Sequence, residues 1–353
     1  MSVSKRDQSR RVFILGAGVS ASCGIAVTRD ILRESILQLP ESRLDSMAPV
    51  NDLLTFLYPS FDPSLQNYPN VEDFLNQLEM GLLFNEEFID SSKWKPRTLE
   101  KVKQLTLRTI TEYLWAKMQS RDALQPLYDF AERLFRPGTV VITFNWDLTV
   151  ERVWYDQDEI PLLEYLYSRK TKEPAIFLLK PHGSIDWFSP DDLRGTTALK
   201  QSERVAAGVP FNYYPYFKLS KAPELLDRVP GIVPPVYAKE VKPFRKIWTS
   251  VYRALRDATD IHIIGYSMPK EDQFARFVLR RALRNNILSA ADGEKPPLRI
   301  EVVNPDPSVE QTFSTLVGHR QGFPHDRPRR NADAVSLTFI QAQFHRYVGR
   351  QAR

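Results

Sequence analysis

The 353-residue chain holds one cysteine, Cys23. That excludes an intramolecular disulfide and a cysteine-built structural zinc site. No stretch approaches the roughly 18 consecutive apolar residues of a membrane-spanning helix. The start, Met1 to Arg11, is polar and basic with no apolar core behind it, so it does not read as a secretory leader. A cytoplasmic protein that does not engage a membrane is the expectation. Charge of one sign is scarce too: 48 Lys and Arg stand against 43 Asp and Glu. The net +5 is compatible with a phosphate-rich ligand or with nucleic acid and selects neither. Internal repeats and low-complexity tracts are absent. What remains is ordinary globular composition, at a length that suits one large domain or two small ones.

The first strong signal is Arg11-Val-Phe-Ile-Leu-Gly16, a short apolar run ending in glycine. Gly16-Ala-Gly18-Val-Ser20-Ala21 follows at once. A buried parallel strand feeding a glycine-rich turn and then a helix has this form. From about Ser42 to Pro137 the chain reads as helical. Val71, Phe74, Leu75, Leu78 and Leu82 recur at helical spacing, as do Leu124, Leu127, Tyr128, Ala131 and Leu134. Asn70 is a fitting cap for the first of these helices. A crossover between neighbouring parallel strands is far shorter than this, so residues 42–137 read as an inserted helical module.

Strand signals resume at Thr139-Val-Val-Ile-Thr-Phe144, Ala175-Ile-Phe-Leu-Leu179, Ile261-His-Ile-Ile264 and Ile300-Glu-Val-Val303. The last two flank a helix-like stretch with Phe274, Phe277 and Val278. Short apolar strands alternating with helices predict an α/β fold with a Rossmann-like, doubly wound parallel sheet. Its parts are residues 11–40 and 138–345, interrupted by the module. Residues 189–243, rich in Pro and Tyr, read as long ordered loops or a second small insertion. The basic stretch Arg346 to Arg353 reads as a fraying end.

Five motifs sit where strands end. In the first, Gly16 permits the tight turn, Gly18 lets a pyrophosphate approach the backbone, and Ala21 is small enough for close packing. The following helix start offers N–H groups to phosphates. The second is Thr143-Phe-Asn145-Trp-Asp147, whose Asn145 or Asp147 could equally make an Asx turn. The third is Lys180-Pro-His182-Gly183-Ser184-Ile-Asp186-Trp187. His182 suits proton transfer near neutral pH, and Gly183 allows close approach of a ligand. The fourth and fifth, Gly265-Tyr-Ser267 and Asn304-Pro-Asp306, are common turn material taken singly. Ligands of open α/β sheets bind at the carboxyl ends of strands. Five such motifs there outline one crevice.

These residues resemble the sirtuins. Gly16-Ala-Gly18-Val-Ser20 with Gly24-Ile25 resembles the family's opening motif. The segment Thr143 to Asp147 resembles the one that holds the catalytic asparagine. His182-Gly183-Ser184 resembles the catalytic histidine motif. Gly265-Tyr-Ser267 and Asn304 resemble the segments that contact the adenosine half of NAD. The order along the chain matches as well. The deacylase zinc module is missing, since no cysteine follows Cys23. Gly24-Ile-Ala-Val-Thr-Arg29-Asp30 replaces the usual Gly-Ile-Pro-Asp-Phe-Arg, which leaves the roles of Arg29 and Asp30 open. These departures resemble the zinc-less bacterial sirtuin-like NAD hydrolases found in anti-phage defence.

The resemblance implies NAD as substrate, no metal, and cleavage of the nicotinamide–ribose bond. Asn145 and His182 are the implied catalytic residues, with Asp147 in support. Gly16, Ala17, Gly18, Ser20, Gly24, Thr143, Gly183, Ser184, Gly265, Ser267 and Asn304 are the implied NAD contacts. A regulated effector is implied, acting as a homo-oligomer or with a partner ATPase or nucleic-acid-guided defence protein. Hydrolysis and cyclisation of ADP-ribose are not separated by these motifs. A sensor that binds NAD or a nucleotide without chemistry is the alternative from another class.

Overall fold

The computed structural model describes residues 10–84, 93–157, 162–168, 175–191, 193–194, 202–207, 209–214, 219, 225, 228–233, 242–317 and 335–351. Its centre is a seven-stranded sheet. The strands are β1 (Arg11–Leu15), β2 (Val140–Thr143), β3 (Leu162–Glu164), β4 (Ala175–Leu179), β5 (Asp260–Ile264), β6 (Leu298–Val303) and β7 (Val335–Ile340). Their order is β7-β6-β5-β1-β2-β4-β3, and every pairing is parallel. This is the doubly wound α/β sheet expected from the apolar runs. The edge strands β3 and β7 were not among them.

The central strands are apolar because both faces are covered. All five residues of β4 are buried, as are Val12 to Leu15 of β1. Taking each such Ile, Leu or Phe out of water contributes about 1.5–3 kcal/mol. The strand order turns back at β1, with β2 on one side and β5 on the other. A crevice opens at such a switch point, beyond the carboxyl ends of the strands.

Helix α1 (Ala17–Ser22) leaves the first turn, and α2 (Ile31–Leu37), α3 (Ala48–Leu57), α4 (Val71–Phe84) and α5 (Pro96–Lys117) follow. Asn70 does cap α4: its Oδ1 accepts from Glu72 N at 2.8 Å. Leu53, Phe74, Leu78, Val102 and Ile110 form a second apolar cluster, separate from the one around the sheet. It runs on into Trp146, Ile185 and Phe188, so the helical module is fused to the loops after β2 and β4. The short helices Gln125–Tyr128 and Ala131–Leu134 end the helical stretch. They pack in the sheet's own core, with Leu127, Phe130 and Leu134 buried there.

Beyond the module come α6 (Thr149–Tyr155), α7 (Arg245–Asp257), α8 (Gln273–Ala291), α9 (Ser308–Val317) and α10 (Phe344–Gln351). The basic C-terminal stretch therefore does not fray over its described part. Tyr347 anchors it, buried at 1% exposure and donating to Glu301 Oε1 at 2.6 Å. Much of 189–243 lies outside the described residues. Its described parts include Asn212–Tyr213 and Glu203–Arg204, which form a small antiparallel sheet with Trp187–Phe188.

Candidate active site

The turn after β1 is locked backbone against backbone. Gly16 N donates to Ile264 O at 3.0 Å, and Gly18 N to Gly265 O at 2.9 Å. A Cβ on Gly16 would lie 2.5 Å from Gly265 O, and one on Gly18 2.8 Å from Gly265 Cα. Side chains do not fit at such distances, so glycine is demanded by packing. Gly18, expected to face a pyrophosphate, turns its bare side to Gly265 instead. Gly183 behaves alike: its φ is +79°, and a Cβ there would meet Gly231 O at 1.8 Å. The close approach at Gly183 is to the strand Gly231–Ile232, with which it pairs.

Asn145, Ser20 and Asp147 form a hydrogen-bond chain across the crevice. Asn145 Nδ2 donates to Gly16 O at 3.0 Å and to Ser20 Oγ at 2.8 Å. Ser20 Oγ donates in turn to Asp147 Oδ2 at 2.6 Å. The other carboxylate oxygen, Oδ1, accepts from Thr149 N at 3.0 Å and Thr149 Oγ1 at 2.7 Å. The Asx turn is thus real, and it starts α6. Asp147 serves both the turn and the chain. Its position fixes Ser20, and Ser20 fixes the amide of Asn145.

His182 follows β4, and its Nε2 lies 2.7 Å from Asp272 Oδ2, with both side chains buried. The contact is at ion-pair distance without the alignment of a hydrogen bond. Asp272 Oδ1 accepts from Ala275 N at 3.1 Å, which caps α8 and holds the carboxylate in place. Phe144 meets His182 edge-on at 5.0 Å and stacks on Tyr266 at 4.3 Å. Such pairs add about 0.5–1.5 kcal/mol beyond their buried area.

These groups line one cavity of about 110 Å³. Ala17, Ser20, Asn145, Asp147 and His182 line it together with Gly265, Tyr266 and Ser267. The module supplies Leu114 and Glu72, and the loop between α1 and α2 supplies Ile25, Ala26 and Thr28. That loop is held by the module, since Ala26 N donates to Tyr113 Oη at 2.9 Å and Val71 N to Thr28 O at 3.3 Å. Two buried donors on the cavity wall, Trp146 Nε1 and Tyr266 Oη, lack a partner among the described residues. Buried polar groups are seldom left so, and a water, an ion or a ligand in the cavity would satisfy these two. Burial pushes the Tyr266 phenol well above its usual range, and Asp272 and Glu72 add to that. Tyr266 therefore stays a neutral donor.

Beneath the crevice lies a buried charge cluster. Lys180 Nζ donates to Asp147 O at 2.6 Å and to Glu151 Oε1 at 2.7 Å. Burial raises the Glu151 carboxyl, which Lys180 opposes. Burial likewise pushes Asp186 up to about 7, with Lys180 pulling it down and Glu151 pushing it up. Lys180 thereby ties the turn of Asn145 to Asp147 to the strand that carries His182.

No protein-family model and no curated relative matches the chain. Solved structures that it resembles include Sir2 bound to an inhibitor, 2′-O-acetyl-ADP-ribose and a deacetylated p53 peptide. That pair shares 13% identity over 96% of this chain and 91% of that one, at a TM-score of 0.35. A Sir2–p53 peptide–NAD+ structure is 14% identical over 97% and 92%, at 0.35. A structure from work on sirtuin substrate affinity is 14% identical over 98% and 96%, at 0.36. So loose a superposition assigns neither family nor activity to this chain.

Of the residues singled out from sequence, Ala17, Ser20, Asn145, Asp147, His182, Gly265 and Ser267 line the cavity. Gly16, Gly18, Gly24, Thr143, Gly183, Ser184 and Asn304 do not. Thr143 Oγ1 accepts from Asn145 N at 3.2 Å, and Asn304 Oδ1 from Asp306 N at 3.0 Å, so both shape turns. Gly24 is exposed, and so is Arg29, while Asp30 precedes α2. The sequence reading missed Asp272 and Glu72. Asp272 carried a signal as an acid directly before a helical pattern, as did Glu72 in the first turn of α4. Neither signal names a cavity. Among the described residues, no group of three or more His, Cys, Asp or Glu is placed to hold a metal ion. No described helix is long and apolar enough to cross a membrane.

Proposed function

We propose that the chain is an NAD glycohydrolase, which cleaves the nicotinamide–ribose bond of NAD+ to give nicotinamide and ADP-ribose. One observation carries the reading. The Asn145–Ser20–Asp147 chain and the His182–Asp272 pair converge on a single cavity whose wall holds two buried donors without partners. The motif order described for the sequence agrees with it.

Nicotinamide leaves as a neutral molecule, taking the electron pair of the glycosidic C–N bond onto its ring nitrogen, so no general acid is needed. Positive charge grows on the ribose as the bond breaks. The carboxylates of Glu72 and Asp147 on the cavity wall stabilise it. Asn145, its amide set by Gly16 and Ser20, orients the ribose or the attacking water. His182 takes the proton as water adds to the ribose, and Asp272 at Nε2 stabilises the imidazolium that results. Such a base typically contributes about 10²–10⁴-fold. The backbone at Ala17 and Ser20 faces the pyrophosphate, and Ser267 the adenosine half.

An unrestrained NAD hydrolase is toxic to its own cell, which fits a regulated effector of anti-phage defence. Assembly into a homo-oligomer, or with a partner ATPase or nucleic-acid-guided protein, is the proposed control. The module is its route, because Leu114 and Glu72 belong to the module and to the cavity wall alike.

The test is purified protein with NAD+, followed by separation of products. Nicotinamide and ADP-ribose in equal amounts, with no acylated peptide added, is the expected result. Cyclic ADP-ribose makes the protein a cyclase. Nicotinamide released only with an acyl-lysine peptide makes it a deacylase. Calorimetric binding of NAD+ with no product under any condition makes it a sensor.

A further inference from the structure

Helices α7 and α8 pack against each other on the outside of the sheet and hold a concentration of positive charge. On α7 the basic side chains are Arg245, Lys246, Arg253 and Arg256; its one acid is Asp257. On α8 they are Arg276, Arg280, Arg281 and Arg284, with no acid in the helix. The two helices carry a net +7, more than the +5 of the whole chain, so the remainder is net acidic. The near-balance of the sequence as a whole hides this segregation.

Most of this charge points outward. Arg245, Lys246, Arg253, Arg280, Arg281 and Arg284 are exposed. Among the described residues Arg253, Arg280, Arg281 and Arg284 join no ion pair. Asp257 is buried and already paired with Arg256, and Asp272 is fully buried beside His182. Tyr252 joins the two helices. It accepts from Asn285 Nδ2 at 2.7 Å, and the guanidiniums of Arg256 and Arg281 lie 5.8 Å from its ring. Tyr252 thereby holds Arg281 beside Arg253's helix. Like charges so placed repel, and a surface keeps them at some cost unless a polyanion covers it.

We infer that the α7–α8 face is a docking surface for the phosphate backbone of a nucleic-acid duplex. Arginine outnumbers lysine seven to one there, and its planar fork matches phosphate oxygens in pairs. From Arg245 to Arg256 the helix rises about 16 Å, a span in which a duplex presents roughly ten phosphates. The two helices expose one aromatic, Phe277, and not a row of them, which suits a backbone rather than splayed single-stranded bases. Binding is then sequence-independent and strongly salt-dependent. This surface is separate from the NAD cavity and does not depend on the hydrolase reading.

The test is fluorescence anisotropy of the full chain with a labelled 20-base-pair DNA duplex of mixed sequence at 50, 100 and 200 mM NaCl. A matching RNA duplex runs alongside. Four to six phosphate contacts predict a log–log salt slope of about −4 to −5. The triple variant Arg253→Glu, Arg281→Glu, Arg284→Glu should lose at least about 30-fold in affinity. A control with the same change in net charge, Lys95→Glu, Arg97→Glu, Lys101→Glu on and before α5, should stay within about 2-fold, with both variants melting near the parent. The RNA arm decides whether the duplex is DNA, RNA or either. Absence of binding at 50 mM salt overturns the inference, as does equal loss in both triple variants. Tighter binding to polyglutamate than to either duplex, at equal charge, assigns the face to an acidic protein instead.

Discussion

Ser20 and Asp147, 127 residues apart in sequence, share a buried 2.6 Å hydrogen bond, and Ser20 passes that anchorage on to Asn145. Ser20 is thus a positioning residue. Ser20→Ala removes the link from Asn145 to the carboxylate but leaves the bond from Asn145 Nδ2 to Gly16 O. A partial loss of kcat, about 10-fold, is expected, with little change in NAD affinity. Asn145→Ala should remove at least about 10²-fold, within the range of a group acting on the reacting atoms. Steady-state kinetics beside calorimetric NAD binding checks both. Equal effects from the two variants would mean that Ser20 itself touches the substrate.

The pair of His182 and Asp272 can be separated from the cap that Asp272 provides. Asp272→Asn keeps an oxygen for Ala275 N and loses the charge at His182 Nε2. It should lower kcat by about 10–10³-fold at little cost in stability. Asp272→Ala loses the cap as well and should unfold about 1 kcal/mol more easily. His182→Ala should remove most turnover while NAD still binds. If Asp272→Asn turns over like the parent, the pair is structural and His182 works without it.

Glu72 puts the module to the test. The residue is 6% exposed and lines the cavity from α4, in the helical module and away from the strand ends that carry Asn145, Asp147 and His182. Glu72→Gln preserves shape and removes charge. A fall in kcat of about 10–10²-fold with unchanged NAD affinity is expected if the charge acts only as the ribose becomes cationic. An unchanged kcat in Glu72→Gln assigns transition-state charge to Asp147 alone.

Some of this was legible in the sequence, for physical reasons. The strands β1, β2 and β4 announce themselves because both faces are buried, which forces runs such as Ala175 to Leu179 to be apolar throughout. The edge strands do not. Leu162–Glu164 is three residues long, and Val335–Ile340 alternates apolar and polar because one face is open. The cavity residues Asn145 and His182 could be found because polar groups follow those runs directly. The module's share of the site could not. Its helices carry the pattern of any amphipathic helix, and only packing brings Glu72 to the crevice. At the glycine turn the packing adds a demand that the sequence does not show, since Gly16 and Gly18 admit the Gly265 backbone. Gly18→Val should therefore unsettle the fold as well as the binding of NAD.

Asp186 supplies a prediction of stability against pH. The carboxyl is buried, and burial raises it from 3.8 to about 7, with Lys180 opposing and Glu151 adding. In the unfolded chain it releases its proton near pH 3.9. Between these values the folded protein holds one proton more than the unfolded one. Stability from this group is therefore complete below about pH 4 and falls as pH rises to about 7, after which the penalty is constant. A displacement of about three units sets a ceiling of about 4 kcal/mol with the pull of Lys180 already included, of which about 2–3 kcal/mol falls between pH 5 and pH 7. Asp186→Asn keeps the shape and has no proton to lose. Relative to the parent it should gain about 2 kcal/mol between pH 5 and pH 8 in urea unfolding. Glu151 is present in both proteins and cancels from the difference. A variant that instead loses ground to the parent as pH rises shows that Asp186 is an ionised partner of Lys180, and the buried cluster then holds one negative charge more.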